Sequence, residues 1–319
     1  MRRLLLVLAA ILSVGVAACG NPVLAGPSTS PGTTVATPTA AAGASTGTGG
    51  PTVIPVIISG QQVVGTNRFL FSFLDPETNL PAATPDRTAS VAFIAPGRME
   101  PGTAFPAEFV WAIPDTRGDY IAQVEFPSAG DWKAVFITQA PGGPQEAIGV
   151  GFQVVQDGAT VAVGEPAPAS KTPTATDVGG DLRMLSTDLQ PDPAFYRVSV
   201  ADALARRSPF VLAFATPAFC KSAQCGPTLD LIKSVAKTSP SSVAFINVEP
   251  YELTYTEGRL QPKLDANDQL QPVQAVNDWG ILSEPWVFAV DRNGIVRGSF
   301  EGVVTEAELQ AVIAEIAGS

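Results

Sequence analysis

Phe210-Val-Leu-Ala-Phe-Ala-Thr-Pro-Ala-Phe-Cys220-Lys-Ser-Ala-Gln-Cys225-Gly-Pro-Thr-Leu-Asp-Leu-Ile-Lys-Ser-Val-Ala-Lys237 runs from an apolar stretch, through two cysteines, into a helical pattern. Phe210–Phe214 is short, continuous and β-prone, as expected of a strand covered on both faces of a parallel or mixed sheet. After Pro227, Leu229, Ile232, Val235 and Ala236 recur on one helical face. Proline is tolerated in a first helical turn, so the helix is expected to begin near Gly226-Pro227. Cys225 then lies at or just before the N-terminus, where unsatisfied N–H groups and the macrodipole favour thiolate over thiol. In a continuous helix, residues five apart differ by about 140° and about 7.5 Å. A disulfide needs Cα atoms roughly 4.4–6.8 Å apart. Pairing Cys220 with Cys225 therefore requires Lys221–Gln224 to fold back as a loop.

Composition narrows the function classes. The 319-residue chain has a formal net charge of −11, which argues against nucleic acid, whose phosphates need clustered Lys and Arg. There is no histidine. That removes the Ser-His-Asp triad, the Cys-His dyad, the HExxH helix and His-ligated zinc.

The amino terminus carries basic Arg2 and Arg3 and then a short apolar run, the layout of an export signal over residues 1–18. Val16-Ala17-Ala18-Cys19 resembles the bacterial lipobox, so cleavage before Cys19 and lipidation of its thiol are expected. The run is shorter than the ~20 residues of a membrane span. Of three cysteines, one is then for lipid and two are for each other. Residues 19–52 follow as a lipidated cysteine and a Pro/Thr/Ser/Ala/Gly stalk, too poor in apolar surface to offset ordering entropy. The expected location is extracytoplasmic, held to the bacterial cell membrane through lipid on Cys19.

Residues 53–157 alternate apolar runs with Pro, Gly and Asp. Strands are expected at Val53–Ile58, Arg68–Leu74, Ala89–Ala95, Ala107–Ile113, Tyr120–Phe126, Trp132–Thr138 and Ala147–Val155. Seven short strands in about 100 residues suggest an all-β immunoglobulin-like sandwich. Gly118-Asp119-Tyr120 and Gly130-Asp131-Trp132 each place an aromatic near a strand start, where it would fasten a corner. The layout resembles YtkA-like bacterial domains. With Met99 as its one methionine and no cysteine, the segment offers no soft-metal site, and a packing or partner-binding role is expected of it. Residues 158–180 read as a Pro/Thr/Ala linker, with a second domain over 181–319.

In that second domain, Val198–Arg206 reads as a short helix and Val243–Val248 as a strand completing a β-α-β unit. Glu249–Gln271 reads as an irregular polar flap, and Pro272–Trp279 as a helix stopped by Gly280. Arg292-Asn293-Gly294 signals a hairpin between Trp286–Val290 and Ile295–Phe300. Thr305-Glu-Ala-Glu308 is a capping box.

Phe-Ala-Thr-Pro-Ala-Phe-Cys220 and Glu284-Pro285-Trp-Val-Phe-Ala-Val-Asp-Arg-Asn-Gly294 resemble the cysteine approach and the cis-proline loop of the thioredoxin-like superfamily, especially its TlpA-related extracytoplasmic branch. The resemblance covers much of residues 181–319. It implies an α/β thioredoxin-like C-terminal domain, a redox cysteine pair, and a partner groove lined by Glu284, Pro285 and Trp286. The chain departs from the family's C-x-x-C in having C-x4-C. Alternatively, Cys225-Gly-Pro-Thr228 lies on the family's Cys-Gly-Pro-Cys and Cys220 is the extra thiol. Glu284 also replaces the small, apolar or hydroxyl residue usual before the proline.

The resulting expectation is a membrane-anchored thiol–disulfide oxidoreductase exchanging electrons with thiol- or disulfide-containing exported proteins. Cys220 attacks and Cys225 resolves, with no cofactor or metal, in a monomeric protein. The alternative reading is a redox-inactive thioredoxin-like binding or assembly lipoprotein in which Cys220–Cys225 is a structural staple. Sco-type copper binding lacks its histidine, and peroxidase chemistry lacks a Thr-x-x-Cys motif.

Overall fold

The computed structural model describes residues 50–319. The export signal, Cys19 and stalk residues 20–49 lie outside the described residues. Among those described, no helix is long and apolar enough to cross a membrane. The chain has a β-rich N-terminal part and a mixed α/β C-terminal part.

The N-terminal part holds β1 (Ile54–Ile57), β2 (Gln62–Val63), β3 (Gly65–Leu74), β4 (Thr88–Ile94), β5 (Phe105–Pro106), β6 (Glu108–Ile113), β7 (Arg117–Phe126), β8 (Gly130–Gln139) and β9 (Gln145–Val155). They form a four-stranded sheet, β1-β3-β7-β6, and a five-stranded sheet, β2-β9-β8-β4-β5. The seven expected strands are all present, and β2 and β5 are two-residue additions too short to leave a period in the sequence. Phe69, Phe71, Phe73, Tyr120, Ala122, Val124 and Phe126 from one sheet meet Val91, Phe93, Trp132, Ala134 and Phe136 from the other in a shared core. Tyr120 lies inside β7, and its hydroxyl, with one proton to share, sits 3.1 Å from the Thr84 carbonyl and 2.9 Å from that of Arg87. Trp132 Nε1 donates to the Ser128 carbonyl at 3.1 Å. Both aromatics thus tie a strand to a neighbouring loop.

Side chains alternate across a strand. Leu70, Val110, Ala112 and Ile121 therefore leave the outer face of the β1-β3-β7-β6 sheet, where they pack with Val303 of the C-terminal part. This seam is extended by Arg68. Its guanidinium pairs with both Glu308 oxygens (2.7 and 3.0 Å) and donates to the Val303 carbonyl at 2.8 Å.

The C-terminal part holds α1 (Val200–Ala205), β10 (Phe210–Phe214), α2 (Cys225–Ala236), β11 (Ala244–Val248), β12 (Leu253–Thr256), β13 (Arg259–Pro262), α3 (Gln274–Trp279), β14 (Trp286–Val290), β15 (Val296–Glu301) and α4 (Glu306–Gly318). The main sheet runs β11-β10-β14-β15, with β10 parallel to β11 and antiparallel to β14. Strand β10 is buried on both faces, as its apolar run predicts. Val211 and Ala213 pack against Leu229, Ile232 and Val235 of α2 and Leu309 and Ile313 of α4. Phe210, Leu212 and Phe214 pack on the other side with Val200 of α1 and Trp279 of α3.

Local signals hold at several ends. Thr305 and Glu308 form both halves of the capping box. Gly280 closes α3 at φ 62°, and the carbonyl of Ala159 approaches so closely that a Cβ there has no room. One expectation needs correction. The expected irregular flap contains the β12–β13 hairpin, turned by Glu257 (φ 53°) and Gly258 (φ 80°), a two-residue turn with both φ positive. Within the linker, residues 164–167 are strapped to the C-terminal part. Gly164 N–H donates to the Val296 carbonyl (2.8 Å), Val296 N–H to Glu165 (3.0 Å) and Ala167 N–H to Gly294 (2.8 Å). Pro166 also bridges Ile295.

Candidate functional site

The β10 backbone ends at Phe214 and turns through Thr216–Phe219 before reaching Cys220. Lys221–Gln224 then fold back, aided by Ala223 at φ 60° and a bond from its N–H to the Cys220 carbonyl (3.3 Å). This loop brings Cys220 and Cys225 into a disulfide with Cα atoms 6.0 Å apart. Helix α2 begins at Cys225 itself, one residue before the expected start, so Pro227 is its third residue. Cys225 is fully buried, and its N–H points at Cys220 Sγ, 3.2 Å away. Cys220 is partly exposed and its sulfur is 3.3 Å from Ser222 Oγ.

The loop before β14 closes over this pair. Ser222 Oγ donates to the Glu284 carbonyl (3.1 Å), and Lys221 N–H to Glu284 Oε1 (3.3 Å). The Glu284–Pro285 peptide bond is cis, and the Pro285 carbonyl accepts from Gly302 N–H at 2.8 Å. Glu284 Oε2 accepts from the Tyr251 hydroxyl at 2.6 Å. Burial, and then this bond to Glu284, push the Tyr251 phenol well above its usual range. Trp286 does not join the group. Its ring stacks on Phe288 and its Nε1 donates to Ser299 Oγ at 2.9 Å, in the core layer on the sheet face opposite that of Cys225.

Several contributors carry no motif. Glu249 follows β11 and accepts from Thr187 N–H (2.6 Å) and Oγ1 (2.8 Å); Thr187 Oγ1 accepts from Ala218 N–H (3.1 Å), steadying the approach to Cys220. Burial pushes the Glu249 carboxyl up to about 6, against the hydrogen bonds from Thr187 that lower it.

The other contributors come from the β-rich part. Asp119, on the outer face of β7, has a fully buried side chain whose Oδ2 accepts from Gln224 Nε2 at 3.1 Å. Arg117 donates to the Ser222 carbonyl (3.4 Å) and has its Nε 3.6 Å from Asp119 Oδ1. Burial pushes Asp119 up to about 6, offset in part by Arg117 and by the hydrogen bond from Gln224. The one sequence signal for this contact was the apolar outer-face pair Leu70 and Ile121, which marks a sheet face in need of cover.

No family model matches this sequence, and no curated protein does. The crystal structure of the PmoD soluble domain from Methylocystis sp. aligns with 30% of this chain and 77% of its own. That alignment is 15% identical with a TM-score of 0.19, too low to inform the fold or the function.

Proposed function

We propose that the chain is an extracytoplasmic thiol–disulfide oxidoreductase with a thioredoxin-like C-terminal domain behind an immunoglobulin-like sandwich. The observation that carries this reading is a disulfide at a strand-to-helix turn whose enclosed residues Lys221 and Ser222 hydrogen-bond to Glu284 of the cis-proline loop. The strand order β11-β10-β14-β15, helices on both faces and the proline loop beside the sulfurs support the thioredoxin-like assignment. Two antiparallel-rich sheets over one aromatic core support the sandwich. A disulfide in a chain with an export-type start fits an oxidising compartment and the lipid anchor expected at Cys19.

A thiolate of an exported partner attacks Cys220 Sγ, the less buried sulfur, and Cys225 leaves as thiolate. The dipole of α2, which begins at Cys225, stabilises that leaving group. A second partner thiolate attacks the mixed disulfide and releases Cys220. The partner becomes a disulfide, and two electrons pass to the pair. Glu284 and Pro285 flank the partner; Trp286, being part of the core, does not.

Full burial of Cys225 favours a second reading, a structural staple in a binding or assembly protein. Titrating residues 50–319 in defined redox buffers separates the two. An exchanging pair equilibrates between about −270 and −120 mV, whereas reduction only below about −300 mV would end the oxidoreductase reading.

A further inference from the structure

We propose that the β-rich part is a built-in cover over the disulfide, which lets small thiols reach Cys220 but keeps protein partners away until the seam between the two parts opens. The inference rests on the oxidoreductase reading and concerns how that site is controlled.

A protein partner needs more than one exposed sulfur. Its backbone must lie on the surface around Cys220, formed by Ser222, Gln224, Glu284 and Gly302. The β-rich part already occupies three of these positions. Arg117 holds the Ser222 carbonyl, Asp119 holds the Gln224 amide, and the space a Cβ on Gly302 would take faces Leu70 Cδ2. Cys220 itself remains partly exposed, so a molecule the size of dithiothreitol has a path that a folded protein lacks.

The cover is fastened away from the sulfurs. Val303 projects from the β15–α4 loop into Leu70, Val110, Ala112 and Ile121, and it is the C-terminal part's one contribution to that buried cluster. Arg68 grips Glu308 and the Val303 carbonyl, and Glu301 takes the Gly60 N–H through both carboxylate oxygens (3.0 and 2.9 Å). Each part has its own larger core on the far side of this seam, so parting them leaves both cores intact. In the open form a partner dithiol reduces the pair by the two exchange steps above and is itself oxidised to a disulfide.

The test compares Val303→Asp, which places a charge in the apolar seam, and Arg68→Ala, which removes its polar clasp, with the unaltered chain. Reduction of Cys220–Cys225 is timed with dithiothreitol and, separately, with reduced thioredoxin as a protein dithiol. The expected result is a rise of about tenfold or more in the thioredoxin rate, with the dithiothreitol rate unchanged, since the open population limits only the larger reagent. An unchanged thioredoxin rate would overturn the cover. So would an equal rise with both reagents, which marks a loosened cysteine loop. If Val303→Asp does not fold, Arg68→Ala decides alone. The equilibrium potential of the unaltered chain reports on the oxidoreductase reading by itself, because a cover changes rates and a staple changes the equilibrium.

Discussion

Replacing Asp119 with Asn removes a charge from the junction of β7 and α2 while keeping an acceptor oxygen for Gln224. The Asp119 carboxyl is pushed from an ordinary 3.8 to about 6, chiefly by burial. The folded chain therefore holds this proton more tightly than the unfolded chain, and stability is lost as pH rises from about 4 to about 6. Converted at 1.36 kcal/mol per pH unit, that loss is about 3 kcal/mol by pH 7. Glu249, raised to about 6, and Glu301, also raised, slope the same way, so only the difference between the two chains isolates Asp119. Urea unfolding at pH 4, 5, 6 and 7 supplies it. Asp119→Asn is expected to match the parent near pH 4 and to exceed it by up to about 3 kcal/mol at pH 7. Parallel pH profiles would refute the claim that this carboxylate is ionised at a desolvation cost.

Opening the disulfide with paired Cys220→Ser and Cys225→Ser changes frees a loop of only a few residues, so denaturant unfolding is expected to register a loss of about 2 kcal/mol. A far larger loss would favour the staple. Thr305→Ala dismantles the capping box of α4, and a decrease of about 1 kcal/mol in stability with an unchanged reduction potential is expected. Tyr251→Phe deprives Glu284 Oε2 of its donor, and a changed rate of exchange with reduced thioredoxin at nearly constant stability is the expected signature. An unaltered rate would remove Glu284 from the partner surface.

Much of this fold could be read directly because it depends on short-range patterns. The unbroken apolar run 210–214 implied a strand covered on both sides, and burial of all five residues follows from it. Gly280 and Thr305-Glu308 likewise marked helix ends through local backbone needs. The β12–β13 hairpin was missed because Glu257-Gly258 is a weaker turn signal than Asn-Gly, and its flanking residues are half polar. At the site, the cysteine pair was legible and its surroundings were not. Asp119 and Gln224 are 105 residues apart, and no local period reports that a carboxylate in one sheet will meet a helix start in another layer. Trp286 misled for a related reason. Its neighbour Glu284 bonds to the cysteine loop through Lys221 and Ser222, but alternation along β14 sends the indole into the opposite layer.

The strap from Gly164 to Ala167 has a practical bearing on dissecting the molecule. It supplies hydrogen-bond partners at the outermost strand of the main sheet, around Ile295 and Val296. A fragment begun at Asp181, where composition suggests cutting, would uncover amide and carbonyl groups there and offer them to another copy. Self-association in such a fragment would report the missing strap rather than a property of the whole protein, and starting before Thr160 keeps that rim sealed.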